Sequence, residues 1–285
     1  MRKLLLLLAV LTAVLSLGAA PASAITDGEL DGEGHPFVGL MVAKDEDGNP
    51  LFRCSGTLLS AYVFLTAGHC TEEPVVTVDI WFDSELELDP NYTSIRNGGT
   101  GCENPDVTGY PCYGADATGT PYTHPDYDPN RFFYRDLGVV VLDEPVFMAE
   151  YGELPTLDQL DPLATQRGRQ DVMFTAVGYG LQKINPVFIE AELTRMVAYP
   201  HLIQINVPGF TGYFSILLSN NAHTGGTCFG DSGGPNFLGD TNIVVGVTSY
   251  GINGNCAGTG GVFRVDRSWS LDWLYGEFGE LLAIK

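Results

Sequence analysis

Gly230-Asp231-Ser232-Gly233-Gly234-Pro235 places one serine in a glycine-rich turn, and two earlier stretches answer to it: Thr66-Ala67-Gly68-His69-Cys70 and Arg135-Asp136-Leu137-Gly138-Val139. A serine hydroxyl is a weak nucleophile until a base takes its proton. That base in turn needs a carboxylate to fix its tautomer and stabilise the imidazolium. Ser232, His69 and Asp136 are those three residue types. Glycines beside the serine permit a tight turn in which the N–H groups of Gly230 and Ser232 converge on one developing oxyanion. Alone, each residue reads more readily as structure: a core histidine, an aspartate capping a turn, a turn between strands. Their joint occurrence and order carry more. The glycine-serine pattern also fits the G-x-S-x-G elbow of an α/β fold, where the acid and then the histidine follow the serine. All five histidines, at 35, 69, 124, 201 and 223, precede Ser232, so the elbow reading fails. An order of acid, histidine, serine survives on order alone, but the chain lacks the α/β alternation that fold needs.

Outward from these motifs the pattern is one of short β-rich runs broken by Gly, Pro, Asn and Asp. Candidate strands cover residues 37–43, 51–59, 63–66, 75–82, 137–142, 171–177, 189–197, 243–250 and 261–265. Frequent strands without helical patterns between them predict an all-β sandwich or barrel. Residues 146–170 carry Pro155 and Pro162 and little strand character, and read as a linker between two β units. Val265, Trp269, Trp273, Phe278 and Leu281 recur near helical spacing, which predicts a C-terminal helix over residues 268–285. Gly276 within it costs about 1 kcal/mol relative to Ala.

The chain has 285 residues and a formal charge of -21. Nucleic-acid binding is excluded on charge, because it requires clustered Lys and Arg to displace phosphate counterions. Residues 1–24 read as a signal peptide: Arg2 and Lys3, an apolar run to Leu17, then Ala22-Ser23-Ala24. The run is too short to span a bilayer, and no later segment reaches the ~18 apolar residues a spanning helix needs. A secreted, extracellular protein free of the membrane is therefore expected. High net charge also disfavours self-association and points to a monomer. Export puts the 6 cysteines in an oxidising compartment. Their spacing suggests three local clips, Cys54 with Cys70, Cys102 with Cys112, and Cys228 with Cys256; a zinc site lacks the close Cys pairs it would need.

The chain resembles secreted serine proteases of the trypsin and chymotrypsin family. The resemblance runs over nearly all of the mature chain through residues 66–70, 136–142, Gly178-Tyr179-Gly180, residues 230–235, Ser249-Tyr250-Gly251 and Gly261-Val262-Phe263. It implies two packed antiparallel β-barrels with a C-terminal helix. The first barrel lies within residues 25–145, the linker at 146–170 and the second barrel at 171–267. His69 and Asp136 then come from the first, Ser232 from the second, and Gly230 and Ser232 supply the oxyanion hole. Two of the clips match family disulfides, whereas Cys102 with Cys112 has no family counterpart. Ser249 matches a position that hydrogen-bonds the catalytic aspartate. The resemblance also implies endopeptidase activity on polypeptides, with a protein inhibitor as a second kind of partner and no required cofactor. The alternatives are a catalytically inactive binding protein on the same fold and an exported esterase.

Three departures add detail. His69 and Asp136 stand farther apart than is usual in the family, which predicts an inserted loop at residues 83–121 stapled by Cys102 and Cys112. Asp83, Glu85, Glu87 and Asp89 fall near where some relatives bind calcium, and hard oxygens suit that ion; period-two acids are equally the wet face of an edge strand. At the position of the pocket floor Gly226 replaces an acid. Gly251 and Gly261 match its walls, and Thr227, Ser249 and Phe263 complete the lining, so a deep neutral pocket should favour large uncharged residues before the cleaved bond. Finally, Ile25 directly follows Ala24. In the family a new N-terminus folds inward to pair with the aspartate before the catalytic serine, here Asp231. The expected order is that signal cleavage itself exposes Ile25, the alternative being cleavage after Ala20 and removal of a short propeptide.

Overall fold

The computed structural model of the chain describes residues 25–86, 111, 114–165, 171–185 and 188–285. Cys102 and Cys112, most of the expected insertion, Glu87 and Asp89 lie outside the described residues, as does the signal segment. The strands are β1 (Glu29–Leu30), β2 (Val38–Lys44), β3 (Pro50–Leu58), β4 (Val63–Thr66), β5 (Thr77–Trp81), β6 (Ala117–Thr123), β7 (Gly138–Leu142), β8 (Phe174–Gly178), β9 (Lys183–Asn185), β10 (Phe188–Glu190), β11 (Met196–Ala198), β12 (Leu202–Val207), β13 (Gly212–Asn220), β14 (Pro235–Leu238), β15 (Val244–Gly251) and β16 (Gly258–Arg264), followed by helix α1 (Ser268–Leu282).

Strands β2, β3, β4, β7, β6 and β5 close into an antiparallel barrel in that order. Closure leaves no open edge. Valines and leucines of the paired strands β4 and β7 lie side by side in its wall, Val63 next to Val141 and Leu65 next to Val139, and Phe64, Leu65, Val139 and Val140 are fully buried. A second, eight-stranded antiparallel sheet runs β1-β11-β8-β14-β15-β16-β13-β12 and curls as a half-barrel. Phe174, Ile216, Leu218, Val245 and Val262 fill its core. The fold is all-β with one C-terminal helix.

Several elements depart from the sequence expectation for physical reasons. Strand β6 carries Gly119 and Pro121, which argue against an interior strand; a Cβ on Gly119 would come within 2.5 Å of the Val141 carbonyl, so close barrel packing requires the glycine. The polar residues Gln204 and Asn206 obscured β12, and β13 and β14 were likewise not foreseen. Residues 189–197 split between β10 and β11, which belong to different sheets. The N-terminal segment, assigned to the first barrel, joins the second sheet: Thr26 bridges Gly226, and β1 pairs with β11.

Helix α1 buries Ser270, Leu271, Leu274 and Phe278, the three- and four-residue spacing of one apolar face. A Cβ at Gly276 would meet nothing within 4 Å, so that glycine lies on the open side. The helix docks on the first barrel through Tyr122 against Phe278, at 5.6 Å between ring centres, and His124 against Trp273, at 5.1 Å. His124 Nε2 donates to the Trp269 carbonyl and its Nδ1 accepts from the Asp126 N–H. Burial favours that neutral ring and lowers its pKa.

Two buried arginines tie segments together. Arg195 donates from Nε to Asp31, from Nη1 to the carbonyls of Val38 and Phe82, and from Nη2 to the Gly32 carbonyl. Arg264 donates to both carboxylate oxygens of Asp266 and to Asn206 and Asp161.

Candidate active site

His69 lies in a single 3-10 turn, Gly68–Cys70, directly after β4. The Cys54–Cys70 disulfide anchors this turn to β3 with Cα atoms 6.3 Å apart. Asp136 precedes β7, the neighbour of β4 in the barrel, so adjacent strands deliver the two residues to one end. The Asp136 side chain is fully buried. It accepts the His69 backbone N–H at 2.9 Å and faces His69 Nδ1 at 3.0 and 3.1 Å from its two oxygens. Ser249 donates its hydroxyl to the same carboxylate, and Ser249 stands on β15 of the second sheet. Burial penalises the imidazolium of His69, but the charge and hydrogen bond of Asp136 outweigh it and hold the ring above its ordinary pKa. Nearby Glu72 is raised, mainly by burial.

Ser232 sits in the turn before β14, where the backbone is held by four bonds: Asp231 N–H to Cys228 O, Gly234 N–H to Asp231 O, Gly233 N–H to Thr248 O, and Ser55 N–H to Ser232 O. The N–H groups of Gly230 and Ser232 have no acceptor among the described residues, which leaves both available to an incoming oxyanion. Gly230 adopts φ of 97° and Gly233 φ of 78°, the left-handed region in which other residues are strained. A Cβ at Gly233 would also lie 2.0 Å from Thr66 Oγ1. Ser232 Oγ and His69 Nε2 make no hydrogen bond among the described residues; such bonds are often long in unliganded sites and tighten with substrate.

Ser55 is a site residue that sequence reasoning missed. Its hydroxyl donates to the Gly230 carbonyl at 2.9 Å and accepts the Tyr179 N–H at 3.0 Å, so it braces the turn that carries Gly230 and Ser232. Its position after Cys54 was the only local signal.

Beside Ser232 lies a cavity of about 150 Å³, lined among others by Thr227, Phe229, Ser249, Tyr250, Gly251 and the Cys228–Cys256 disulfide, and among the described residues no charged side chain lines it. Of the expected pocket residues, Thr227, Ser249 and Gly251 reach this cavity. Gly226, Gly261 and Phe263 do not. A Cβ on Gly226 would fall 2.4 Å from Asn220 Cγ, so the space under the floor is already filled by a buried side chain. Asn220 accepts from Thr26 Oγ1 and donates to the Thr227 carbonyl. The space at Gly261 is taken by the Tyr250 ring, 2.2 Å from where a Cβ would stand, and Phe263 is buried in the core.

Ile25 is fully buried against Met196 and Ala198. It is β-branched yet adopts φ of 51°, a conformation that costs such residues roughly 1–2 kcal/mol. Asp231 is also fully buried; its oxygens accept the N–H groups of Gly180 at 2.7 Å and Cys228 at 2.8 Å. Burial nonetheless pushes its carboxyl up to about 7, against those two bonds and the charge of Arg53.

Metal ligation has little to build on among the described residues. The one cluster of candidate ligands is Cys54, Cys70 and His69, and its two sulfurs are joined to each other. Of the four acids considered for calcium, Asp83 and Glu85 are described; Glu85 bridges Thr194 through its backbone. No helix among the described residues is long and apolar enough to cross a membrane.

A trypsin family model matches residues 32–273. The chain is 27% identical over 264 residues to a CLIP domain-containing serine protease B10 of Anopheles gambiae, covering 84% of this chain and 65% of that protein. It is 27% identical over 260 residues to a phenoloxidase-activating enzyme of Bombyx mori, covering 82% and 54%. This chain thus spans less than two thirds of the length of either relative. Among solved structures it is similar to HL collagenase, with a TM-score of 0.64 and 19% identity over 90% of this chain and 99% of that one. It is also similar to human heparin binding protein, with a TM-score of 0.61 and 18% identity over 90% and 97%. At those identities the structural likeness establishes the fold alone. With a family match spanning residues 32–273 of a barrel and half-barrel architecture, the chain belongs to the trypsin family.

Proposed function

We propose that this chain is a secreted serine endopeptidase in which Ser232 attacks the scissile carbonyl, His69 takes and returns the proton, and Asp136 orients His69. The observation that carries the reading is the buried Asp136 carboxylate, held by Ser249 from the second sheet and facing His69 Nδ1. That bond fixes the tautomer, leaving Nε2 as the base and stabilising the imidazolium that forms. The unpartnered N–H groups of Gly230 and Ser232 then receive the negative oxygen, and the acyl-enzyme is released by water through the reverse proton path. Labelling by a fluorophosphonate, lost in Ser232→Ala, tests the assignment; an intact protein that resists labelling would overturn it. That Ser232 Oγ and His69 Nε2 make no hydrogen bond among the described residues favours one other reading, an inactive binding protein on this fold, and the same labelling experiment separates them.

The neutral cavity supports cleavage after an uncharged residue, since a buried cation there would find no partner. Thr227→Asp is expected to shift kcat/KM toward Arg or Lys over Phe or Leu by roughly tenfold or more. Gly226→Asp should give no such shift, because its side chain would collide with Asn220. Matched peptide amides measure both, and a gain from Gly226→Asp alone would reverse the pocket assignment. Export, a polypeptide substrate and a protein inhibitor belong to the same reading, as does a structural calcium near Asp83 and Glu85.

A further inference from the structure

The chain has 14 lysines and arginines against 35 acids, yet three arginines gather on one run of aromatic rings. Arg131 lies 4.0 Å from the Tyr134 ring centre, and Arg135 and Arg267 lie 4.2 and 5.1 Å from that of Trp269. The rings of Tyr134 and Phe214 stand 4.9 Å apart, and those of Phe214 and Trp269 5.2 Å. Within this cluster sit four of the five buried side-chain polar atoms that lack a hydrogen-bond partner among the described residues: Arg135 Nε and Nη1, Arg267 Nε and Trp269 Nε1. All four are donors. Buried donors are seldom left unpaired in a native fold, and each one that is calls for an explanation.

The charges already present do not satisfy them. Asp126 stands 4.0 Å from Arg135 Nε, beyond hydrogen-bond reach, and is largely exposed. Arg131 is engaged by Asp128, while Arg267 uses Nη1 on Asp158 and Asp161. His124, nearby, has both ring nitrogens occupied. Trp269 lies in the first turn of α1, a helix whose start has no side-chain cap and therefore adds positive potential on the same side. Burial pulls the Arg135 guanidinium below its ordinary pKa, and a bond to Tyr134 and the charge of Asp126 offset it only in part.

We propose that Arg135 and the Trp269 indole N–H, flanked by Arg267, form a binding site for one small oxyanion, inorganic sulfate or phosphate. An acceptor-only ion would satisfy the orphaned donors. A polyanion is disfavoured, because Asp126, Asp128, Asp158 and Asp161 rim the cluster and the chain as a whole is strongly acidic. Occupancy also bears on the site next door. Arg135 adopts φ of 58°, its carbonyl accepts the Leu137 N–H at 2.7 Å, and Asp136 lies between them. A bound anion would hold the turn from which Asp136 projects, making Arg135 a positioning residue.

The test is calorimetric titration of the Ser232→Ala protein with sulfate and with phosphate, at ionic strength matched by chloride, so that the result stands whatever the fate of the protease reading. Saturable binding of one ion is expected, weakened roughly tenfold or more in Arg135→Gln through loss of a charge-assisted bond. Trp269→Phe, which keeps the ring and removes the donor, is expected to weaken it as well and gives a second route should Arg135→Gln fold poorly. No saturable binding of either ion, or binding undiminished from the parent protein in both variants, would overturn the proposal. So would a sulfated polysaccharide binding more tightly than the free ion, because the surface would then serve a polymer.

Discussion

Ser232→Ala is expected to remove hydrolysis almost entirely, by a factor on the order of 10⁵ to 10⁶ in kcat, while the protein keeps its fold and melting temperature. Ser232 is partly exposed in a turn held by backbone bonds, so truncating its side chain creates no cavity. His69→Ala should lose a similar amount. Because these groups act as one unit, the double variant should be no slower than the slower single variant. What remains is the contribution of the Gly230 and Ser232 N–H groups and of substrate binding. Single-turnover assays of purified variants would measure the losses, and additive ones would mean that the two side chains do not share one proton path.

The second large effect concerns the start of the mature chain. A form beginning at Ile25 should be fully active, and the same form extended by one alanine should be slower by roughly 10²- to 10⁴-fold, the scale of a buried ion pair that loses one partner. Cutting the bond before Ile25 abolishes the dihedral that now lies in the left-handed region and leaves an α-ammonium on a segment already tied to the pocket loop through Thr26 and Gly226. The pH dependence has a definite sign. In the extended form the Asp231 carboxyl is raised from 3.8 to about 7, so its contribution to stability is full below the unfolded value and is lost as pH rises through about 7. Complete loss amounts to roughly 4 kcal/mol. With the ammonium paired to Asp231, that loss is offset until pH climbs through the ammonium's own raised value. The difference in melting temperature between the two forms should therefore widen from pH 5 to 8 and close at higher pH. Equal activity and parallel melting profiles would remove Asp231 from the activation mechanism.

The residues proposed as a triad could be picked out because each lies in a short local motif: a histidine beside a cysteine, an aspartate before an apolar strand, a serine among glycines. Contacts between distant segments were not. Ser55 braces the Gly230 turn and Asn220 occupies the space at Gly226, and nothing adjacent in sequence announces either. A glycine reports only that its own side chain is missing, and at Gly226 and Gly261 other residues had already taken the space. The barrel strands rich in Val and Leu were visible by composition. Strand β6 was hidden by Gly119 and Pro121, which a closed barrel accommodates at a tight approach.

Arg195 has a consequence for how the molecule comes apart. It is rooted beside β11 in the second sheet, yet its guanidinium donates to carbonyls of Val38 and Phe82 in the first barrel as well as to Asp31 and Gly32. Opening either half alone would break the guanidinium's bonds to the Val38 and Phe82 carbonyls, which hold the halves together. The two halves are thus expected to behave as one cooperative unit, and native-state hydrogen exchange should show amides of β2 and β11 sharing a single opening free energy. Arg195→Met should uncouple them, so that one half begins to exchange before the other.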